Sequence, residues 1–197
     1  MNTEIFFREL KVRGLFTSLN QQQVNGISAL LSEGMELLGA NLPQLAYVMA
    51  TAYHETAKTM QPIEEYKKGE GKPYGQHFKM AKDKNGKHIS YIDTTEIFYG
   101  RGFVQLTWYE NYFKAGKLLC LNLLKNPKLA LDLKNATKIL FDGMIHGWFT
   151  GKKLSDYIGV KNDFVGARRI INLNDCASLI ASHAISFLTC LNNASKQ

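Results

Sequence analysis

Cysteine is scarce in this chain, and long apolar runs are absent. The three cysteines, Cys120, Cys176 and Cys190, are an odd number, lack metal-ligand spacing and have apolar neighbours. This pattern predicts buried free thiols made in a reducing compartment, and we expect neither a metal site nor a cofactor. No stretch approaches about 18 consecutive apolar residues, which excludes a membrane-spanning helix of ordinary length.

The N-terminus also lacks the apolar core of a secretory signal peptide, because Glu4, Arg8 and Glu9 lie among its apolar residues. Nucleic-acid-binding motifs are missing as well. The chain nevertheless has 24 Lys and Arg against 17 Asp and Glu, a net charge of +7, and its basic residues cluster only in residues 67–87. This excess favours a polyanionic partner such as a cell wall, lipopolysaccharide or nucleic acid, without choosing among them.

Most of the sequence has helical periodicity. Asn20 and Gln23 resemble a capping pair that begins a helix ending at Gly34. Pro43 suits a first helical turn, and the residues that follow are apolar on nearly all sides, which predicts a buried central helix ending near Glu55 or Thr56. Further helices are predicted near residues 110–124, 134–149, 163–171 and 175–191.

Residues 62–99 differ in character from the helical segments. They are rich in Gly, Lys and aromatic residues and contain Asn85-Gly86, the dipeptide favoured in a two-residue hairpin turn. We therefore predict a small, exposed β-lobe. The length of 197 residues allows one compact domain or two small lobes that share a core.

Glu55 is the first candidate catalytic residue. Glycoside hydrolysis needs one protonated carboxylic acid at the leaving oxygen and a second carboxylate that activates water or attacks directly. At the end of an apolar helix, burial and the negative end of the helix dipole both disfavour a charged carboxylate, which suits a general acid. A glutamate at a helix end is more often structural, so this position alone does not decide.

Glu64 and Glu65 are the candidate second carboxylates. They follow Glu55 by nine and ten positions, and Pro62 disfavours one continuous helix between the two sites. The second carboxylate could therefore face the first across a groove. An adjacent glutamate pair is also a common solvated surface feature.

Residues 99–108 add polar and aromatic groups. Glycines on both sides of Arg101 permit close backbone approach. In an extended chain Gln105 and Thr107 would lie on one side, where they could hydrogen-bond a sugar or hold the attacking water. Aromatic faces for sugar rings are offered by Tyr99, Trp108 and Tyr112. An ordinary core strand bounded by glycines would have the same pattern.

Three ordered motifs closely resemble the hallmark segments of glycoside hydrolase family 19, the chitinase and lysozyme-like enzymes. They are His54-Glu55-Thr56, YGRGFVQLTWYENY from Tyr99 to Tyr112, and Arg168-Arg169-Ile170-Ile171-Asn172. The resemblance runs from about residue 42 to residue 175. The short distance from the first motif to the second acidic site, and the PIEEY segment itself, are more similar to the phage endolysin branch than to plant chitinases.

The resemblance implies a mainly α, lysozyme-like fold with a small β-hairpin lobe and a central substrate groove. One catalytic domain would cover residues 1–197, with a β-rich insertion at about 66–100. An inverting mechanism is implied, in which Glu55 is the acid, Glu64 the base with Glu65 in reserve, and Thr107 positions the water. The expected substrate-binding residues are Tyr99, Arg101, Gln105, Trp108, Tyr112, Asn172 and Glu65.

Two features depart from many relatives, which have glycines where this chain has Ala57-Lys58 and Leu173. Arg168 and Arg169 are expected to contact a carboxylate inside the protein rather than substrate. His54 is expected to pack or to hydrogen-bond, because no second histidine stands beside it at helical ligand spacing.

The leading hypothesis is an endolysin that hydrolyses the β-1,4 bonds of peptidoglycan glycan strands in an anionic cell envelope. We expect a monomer with no nucleic-acid partner and no stable membrane insertion. It would be made in the host bacterial cytoplasm and would reach the wall through a holin-type lesion or a secretion machine. The alternatives are a chitinase or antibacterial effector of the same fold, and a noncatalytic cell-wall-binding module.

Overall fold

The computed structural model describes residues 1–196, and the chain divides into two compact units. Unit 1 comprises Met1–Met60 and Leu140–Gln197, and unit 2 comprises Gln61–Ile139. Helices dominate, which confirms the predicted mainly α class. Across residues 1–196 no helix is long and apolar enough to cross a membrane. One catalytic domain over residues 1–197 stays a prediction.

Six α-helices lie in the described part of the chain. They are α1 (Thr3–Val12), α2 (Gln21–Leu38), α3 (Leu42–Glu55), α4 (Tyr109–Leu118), α5 (Leu133–His146) and α6 (Ala177–Ser195). The short strands described there are β1 (Ile63–Glu64), β2 (Phe78–Lys82), β3 (His88–Ser90) and β4 (Arg101–Gly102). Antiparallel pairs join β1 to β4 and β2 to β3. The 3₁₀ segments include Tyr66–Gly69, Pro73–Gly75, Pro127–Leu131 and Gly166–Ile170.

The central element of unit 1 is α3, which packs against α2 and α6, while α1 packs on α6. The Asn41 side chain caps its first turn, and Pro43 lies within that turn. All nine residues from 45 to 53 are buried. Each large apolar side chain fully buried in this way contributes about 1.5–3 kcal/mol. The predicted buried helix is confirmed, including its end, because Thr56 is the C-cap residue.

The helix α2 begins as predicted and ends later than predicted. Asn20 and Gln23 accept hydrogen bonds from each other's backbone N–H groups in a capping box. The predicted end at Gly34 is wrong, since the helix continues to Leu38. Gly34 instead permits close packing on α3: a Cβ at this position would lie 2.3 Å from Cδ1 of Leu45. This close approach offsets the roughly 0.5–1 kcal/mol that a glycine costs inside a helix.

The β2–β3 hairpin confirms a β element in unit 2, but the predicted two-residue turn is wrong. The Asp83 N–H donates to the Lys87 carbonyl, and the Asp83 carbonyl accepts from Gly86. The Asp83 carboxylate also accepts from the N–H groups of Asn85 and Lys87. Gly86 has φ +78°, so a type I turn followed by a left-handed glycine gives a three-residue loop.

Residues 99–108, predicted to be extended, reverse direction. Two backbone hydrogen bonds of 3.2 and 2.9 Å pair Arg101 with Leu106. Gly102 and Gln105 both have positive φ, which turns the chain within four residues. The extended-strand prediction is therefore wrong, and so is its consequence that Gln105 and Thr107 share one side of a strand.

Three of the four later helical segments are α-helices, with bounds that differ from the predicted ones. The helix α4 ends at Leu118 because the Leu121 N–H returns to the Gly116 carbonyl and Cys120 has φ +55°. The helix predicted over residues 163–171 is a shorter 3₁₀ segment, Gly166–Ile170. The sequence patterns did not predict α1.

The cysteines are free, but only one of them is buried. Cys190, which lies in α6, is buried, as predicted. The prediction of burial is wrong for Cys120 and Cys176, which are exposed at left-handed positions flanking helix ends. Apolar neighbours in sequence do not bury a residue at a helix end, because the chain changes direction there.

Candidate active site

In unit 1 the predicted acid Glu55 is the last residue of α3, and its side chain is 17% exposed. Nη1 of Arg168 donates a hydrogen bond of 2.6 Å to Oε1 of Glu55, and the Arg168 side chain is only 3% exposed. The expected contact of Arg168 with an internal carboxylate is thereby confirmed. Arg169, in contrast, is exposed.

A second acidic residue completes this cluster. Nε of Arg168 donates to the Asp175 backbone carbonyl at 2.8 Å, and Nη2 lies 4.0 Å from the Asp175 carboxylate. The guanidinium is thus held by Glu55 on one side and by Asp175 on the other, which fixes its orientation toward Glu55. The sequence predicted burial of Glu55 at the end of α3, but it did not predict the Arg168 guanidinium beside this carboxylate. A charge-assisted hydrogen bond of this kind is stronger than one between neutral groups.

In unit 2 the predicted base Glu64 ends β1, opposite Arg101 on β4, with 31% of its side chain exposed. Its Oε1 accepts a hydrogen bond from the Tyr99 hydroxyl and lies 3.7 Å from Nε of Arg101. Its Oε2 lies 3.9 Å from Nζ of Lys68. Burial and the bond to Glu64 raise the pKa of Tyr99, so its phenol remains a donor. One hydroxyl donor and two cations thus surround the Glu64 carboxylate, which remains partly exposed to solvent.

Arg101 and Tyr112 lie behind Glu64 in the interior of unit 2. The Arg101 guanidinium stacks over the Tyr99 ring at 3.6 Å, and its Nη1 donates to the Tyr112 hydroxyl at 3.0 Å. Burial raises the pKa of Tyr112, whose hydroxyl donates to the Tyr99 carbonyl. The structure gives both residues the role of holding Tyr99 and Glu64, and their predicted contact with sugar stays a prediction.

Glu65 differs from Glu64 in that both of its carboxylate oxygens are occupied. Oε1 accepts from the Tyr74 hydroxyl at 2.8 Å, and Oε2 accepts from the Gly100 N–H at 2.9 Å. Burial and the bond to Glu65 raise the pKa of Tyr74 to about 12. Glu65 thus ties the 3₁₀ segment that contains Tyr74 to the chain before β4, and the geometry favours Glu64 as the base.

The remaining predicted residues of unit 2 lie in and after the turn at β4. Nε2 of Gln105 donates to the Ile63 and Gly102 carbonyls, which holds the turn against β1. Trp108 is half-buried, and its ring packs against those of Tyr74 and His88. Thr107 is half-buried too. Within residues 1–196 no hydrogen bond engages its hydroxyl, which is therefore available to water.

Asn172, the remaining predicted residue of unit 1, is exposed. Its backbone N–H donates to the Arg168 carbonyl, and its Oδ1 accepts from the Leu173 N–H. Ala57 and Lys58, just after the end of α3, have φ values of 47° and 68°. They adopt the left-handed conformation that glycine adopts without strain.

Comparison with known proteins shows the family. The family model described as chitinase class I, glycoside hydrolase family 19, matches residues 38–165 of this chain. The chain belongs to glycoside hydrolase family 19. It is therefore a glycosidase with a carbohydrate substrate, as the three motifs predicted. No curated protein sequence matches it.

Among solved structures, this family 19 hydrolase is similar to chitinase C from Streptomyces griseus HUT6037. The TM-score is 0.58 at 22% identity, over 95% of this chain and 75% of that chain. The likeness confirms the mainly α, lysozyme-like fold. The family match includes Glu55, Glu64 and Thr107, and it ends before Arg168 and Asn172.

The sequence patterns did not predict a role for two residues of this family 19 hydrolase, Asp175 and Tyr66. Asp175 contacts Arg168, but it belongs to none of the three motifs, so no sequence pattern indicated it. Tyr66 follows Glu65 directly and is 87% exposed, an open aromatic face in the same unit as Glu64. Its signal was present in the PIEEY segment, as an aromatic residue directly after two glutamates.

Proposed function

We propose that this family 19 hydrolase is an endolysin that cleaves the β-1,4 bonds of bacterial peptidoglycan by an inverting acid/base mechanism. The observation that carries the choice of substrate is the basic segment, residues 67–87, in the same unit as Glu64. It contains seven lysines and two acidic residues, and most of these lysines are exposed. Chitin is uncharged, whereas the stem peptides of peptidoglycan carry carboxylates, so an exposed cationic segment favours peptidoglycan.

Glu55 is the proposed acid. Arg168 holds Oε1, and the proton for the leaving glycosidic oxygen is then carried on Oε2. As the glycosidic bond breaks, Glu55 becomes a carboxylate, and the adjacent guanidinium stabilises this charge where it develops. Because Asp175 anchors Arg168, it acts as a positioning residue for the acid.

Glu64 is the proposed base. It takes one proton from a water molecule, whose oxygen attacks the anomeric carbon while Glu55 protonates the leaving oxygen. The free hydroxyl of Thr107 is proposed to orient this water. The oxygen of this water becomes the new hydroxyl at the anomeric carbon. Glu64 then releases its proton to the medium and Glu55 takes one up, which restores both carboxyl groups.

The proposed site of action is the bacterial cell wall, reached from the cytoplasm through a holin-type lesion or a secretion machine. A chitin-degrading role is the second candidate, because the matching family is described as chitinase class I and the similar solved structure is that of a chitinase. The two substrates predict different soluble products.

The test is hydrolysis of purified peptidoglycan and of chitin oligosaccharides, with identification of the new reducing ends by mass spectrometry. Release of muropeptides from peptidoglycan, with little turnover of chitin, supports the proposal. Efficient cleavage of chitin with intact peptidoglycan would overturn the substrate assignment. Sedimentation with peptidoglycan without release of soluble sugars would instead show a noncatalytic wall-binding module.

A further inference from the structure

Unit 1 contains a cluster of three potential metal ligands whose side chains take no part in the proposed proton transfers. His54 precedes Glu55 in α3, and Asp175 and Cys176 precede α6. One ligand atom from each residue lies within 4.8 Å of the other two. The cluster thus offers one nitrogen, one oxygen and one sulfur donor, a more specific set than a group of carboxylates.

The spacing of these atoms is close to that of a tetrahedral site. Bonds of about 2.0–2.3 Å from zinc to nitrogen, oxygen and sulfur place neighbouring ligand atoms roughly 3.5 Å apart. Sγ of Cys176 already lies 3.5 Å from Oδ1 of Asp175. The three ligand atoms lie within 4.8 Å of one another, so the longest separation exceeds the tetrahedral value by at most about 1.3 Å. Asp175 and Cys176 are exposed, so rotation of their side chains can close that gap.

The backbone fixes these residues relative to one another. The two helices that carry or adjoin them, α3 and α6, pack together along unit 1. The Asp175 carbonyl is held by Nε of the buried Arg168. Cys176 has φ 54° and ψ 22°, a left-handed conformation that is uncommon for residues other than glycine. The Cys176 thiol donates a hydrogen bond to Oδ1 of Asp175 at the start of α6.

We propose that His54, Asp175 and Cys176 bind one zinc ion, with a fourth coordination position open to water. Imidazole and thiolate donors select zinc-like cations, while magnesium and calcium require oxygen ligands. On binding, the proton of the Cys176 thiol leaves to the medium and its hydrogen bond to Asp175 is replaced by two metal–ligand bonds. The sequence spacing gave no indication of this site, because its ligands come from segments 121 positions apart.

The test is titration of the chelator-treated full-length protein with ZnCl₂ by calorimetry, and with CoCl₂ by absorption spectroscopy. We expect one zinc per chain and a thiolate-to-cobalt charge-transfer band. The variant Cys176→Ser should lose this band and weaken zinc binding by at least about 10-fold, because loss of a ligand costs no less than loss of a residue that only orients one. The matched control is Cys120→Ser, which changes the other exposed cysteine and should leave both signals unchanged.

Binding is measured without turnover, so its failure is distinct from failure of the proposed hydrolysis. His54→Ala and Asp175→Asn should each weaken zinc binding, and circular dichroism verifies that each variant is folded. If His54→Ala does not fold, Asp175→Asn and Cys176→Ser carry the test. Zinc affinity unchanged in folded Cys176→Ser, or a cobalt band that only Cys120→Ser removes, would overturn the site.

Discussion

Nη1 of Arg168 lies 2.6 Å from Oε1 of Glu55, although the two residues are 113 positions apart in the chain. The contact joins the end of α3 to the 3₁₀ segment Gly166–Ile170 within unit 1. A buried guanidinium at this distance fixes the orientation of the carboxyl group and offsets its charge after proton donation. The proposed acid therefore depends on a residue far from its own motif.

Replacement of Arg168 should impair turnover more than substrate binding. We expect Arg168→Gln to lower kcat by about 10²–10³-fold with a smaller change in KM, because stabilisation of the Glu55 carboxylate is lost. Arg168→Lys keeps the charge but loses the fork that reaches Glu55 and Asp175 together, so it should recover only part of the activity. Steady-state kinetics on solubilised glycan measures both parameters.

The matched control is Arg169→Gln, which removes the neighbouring, exposed arginine. Its kcat should equal that of the wild type within about twofold, since surface substitutions have small effects. An equal loss of kcat in both variants would show a general charge effect and contradict a specific role of Arg168.

Glu64 and Glu65 are adjacent, and the two variants Glu64→Gln and Glu65→Gln should have different consequences. Glu64→Gln should lower kcat by at least about 10²-fold with little change in thermal stability, because a general base is lost. Glu65→Gln should mainly lower the melting temperature, since the carboxylate that accepts from Tyr74 and Gly100 is altered. Kinetics and thermal unfolding of both variants separate these roles. Loss of turnover in Glu65→Gln alone would contradict the assignment of Glu64.

The basic segment, residues 67–87, should make activity on peptidoglycan sensitive to salt. Raising ionic strength shortens the Debye length from about 10 Å at 0.1 M to about 3 Å at 1 M. We therefore expect KM for peptidoglycan to rise with salt, while kcat/KM on uncharged chitin oligosaccharides changes little. The variants Lys84→Glu and Lys87→Glu, in the exposed hairpin, should reduce this salt dependence. A salt effect of equal size on both substrates would argue against an electrostatic preference.

Alkaline pH should destabilise the protein through tyrosines of unit 2. Burial and the hydrogen bond to Glu65 raise the pKa of Tyr74 to about 12, and the hydrogen bond to Asp93 together with burial raises that of Tyr109 to about 12, from 10.0 for a free phenol. Below pH 10 these phenols are protonated in the folded and unfolded states, so their contribution is fully present. Between pH 10 and 12 the unfolded chain releases protons that the folded protein keeps, and stability falls.

Thermal unfolding as a function of pH measures this effect. Tyr74→Phe should lower the melting temperature below pH 10 and make its decline toward pH 12 less steep. The control is Tyr66→Phe, because the Tyr66 side chain is almost fully exposed. A decline that is as steep in Tyr74→Phe as in the wild type would contradict the role given to this tyrosine.

Local signals predicted the helices well and the turns poorly. The Asn20 capping box and the apolar run of α3 were readable because helix capping and burial on all sides leave a pattern in neighbouring residues. The turn between Arg101 and Leu106 was not, since the positive φ at Gln105 depends on bonds from its side chain to Ile63 and Gly102. Such contacts are set by tertiary structure.

The same division holds for the candidate site. The motifs predicted Glu55 as the acid, and their spacing favoured Glu64 over Glu65 as the base without excluding Glu65. That distinction depends on which carboxylate oxygens are occupied within unit 2, by Tyr74 and Gly100 for Glu65. Asp175 is close to Arg168 only because unit 1 brings distant segments together.

The stereochemistry of the reaction tests the pairing of an acid with a base that activates water. Proton NMR of freshly formed product should show inverted anomeric configuration, since water attacks directly and no covalent intermediate forms. Retained configuration would contradict direct attack by water activated at Glu64.

Product analysis on purified peptidoglycan with the wild type and Glu55→Gln tests the catalytic role of Glu55 most directly. The wild type should release muropeptides with new reducing ends, and the variant should fold normally, bind the wall and release almost none. A correctly folded Glu55→Gln protein that still solubilises peptidoglycan at the wild-type rate would contradict the assignment of Glu55 as the catalytic acid.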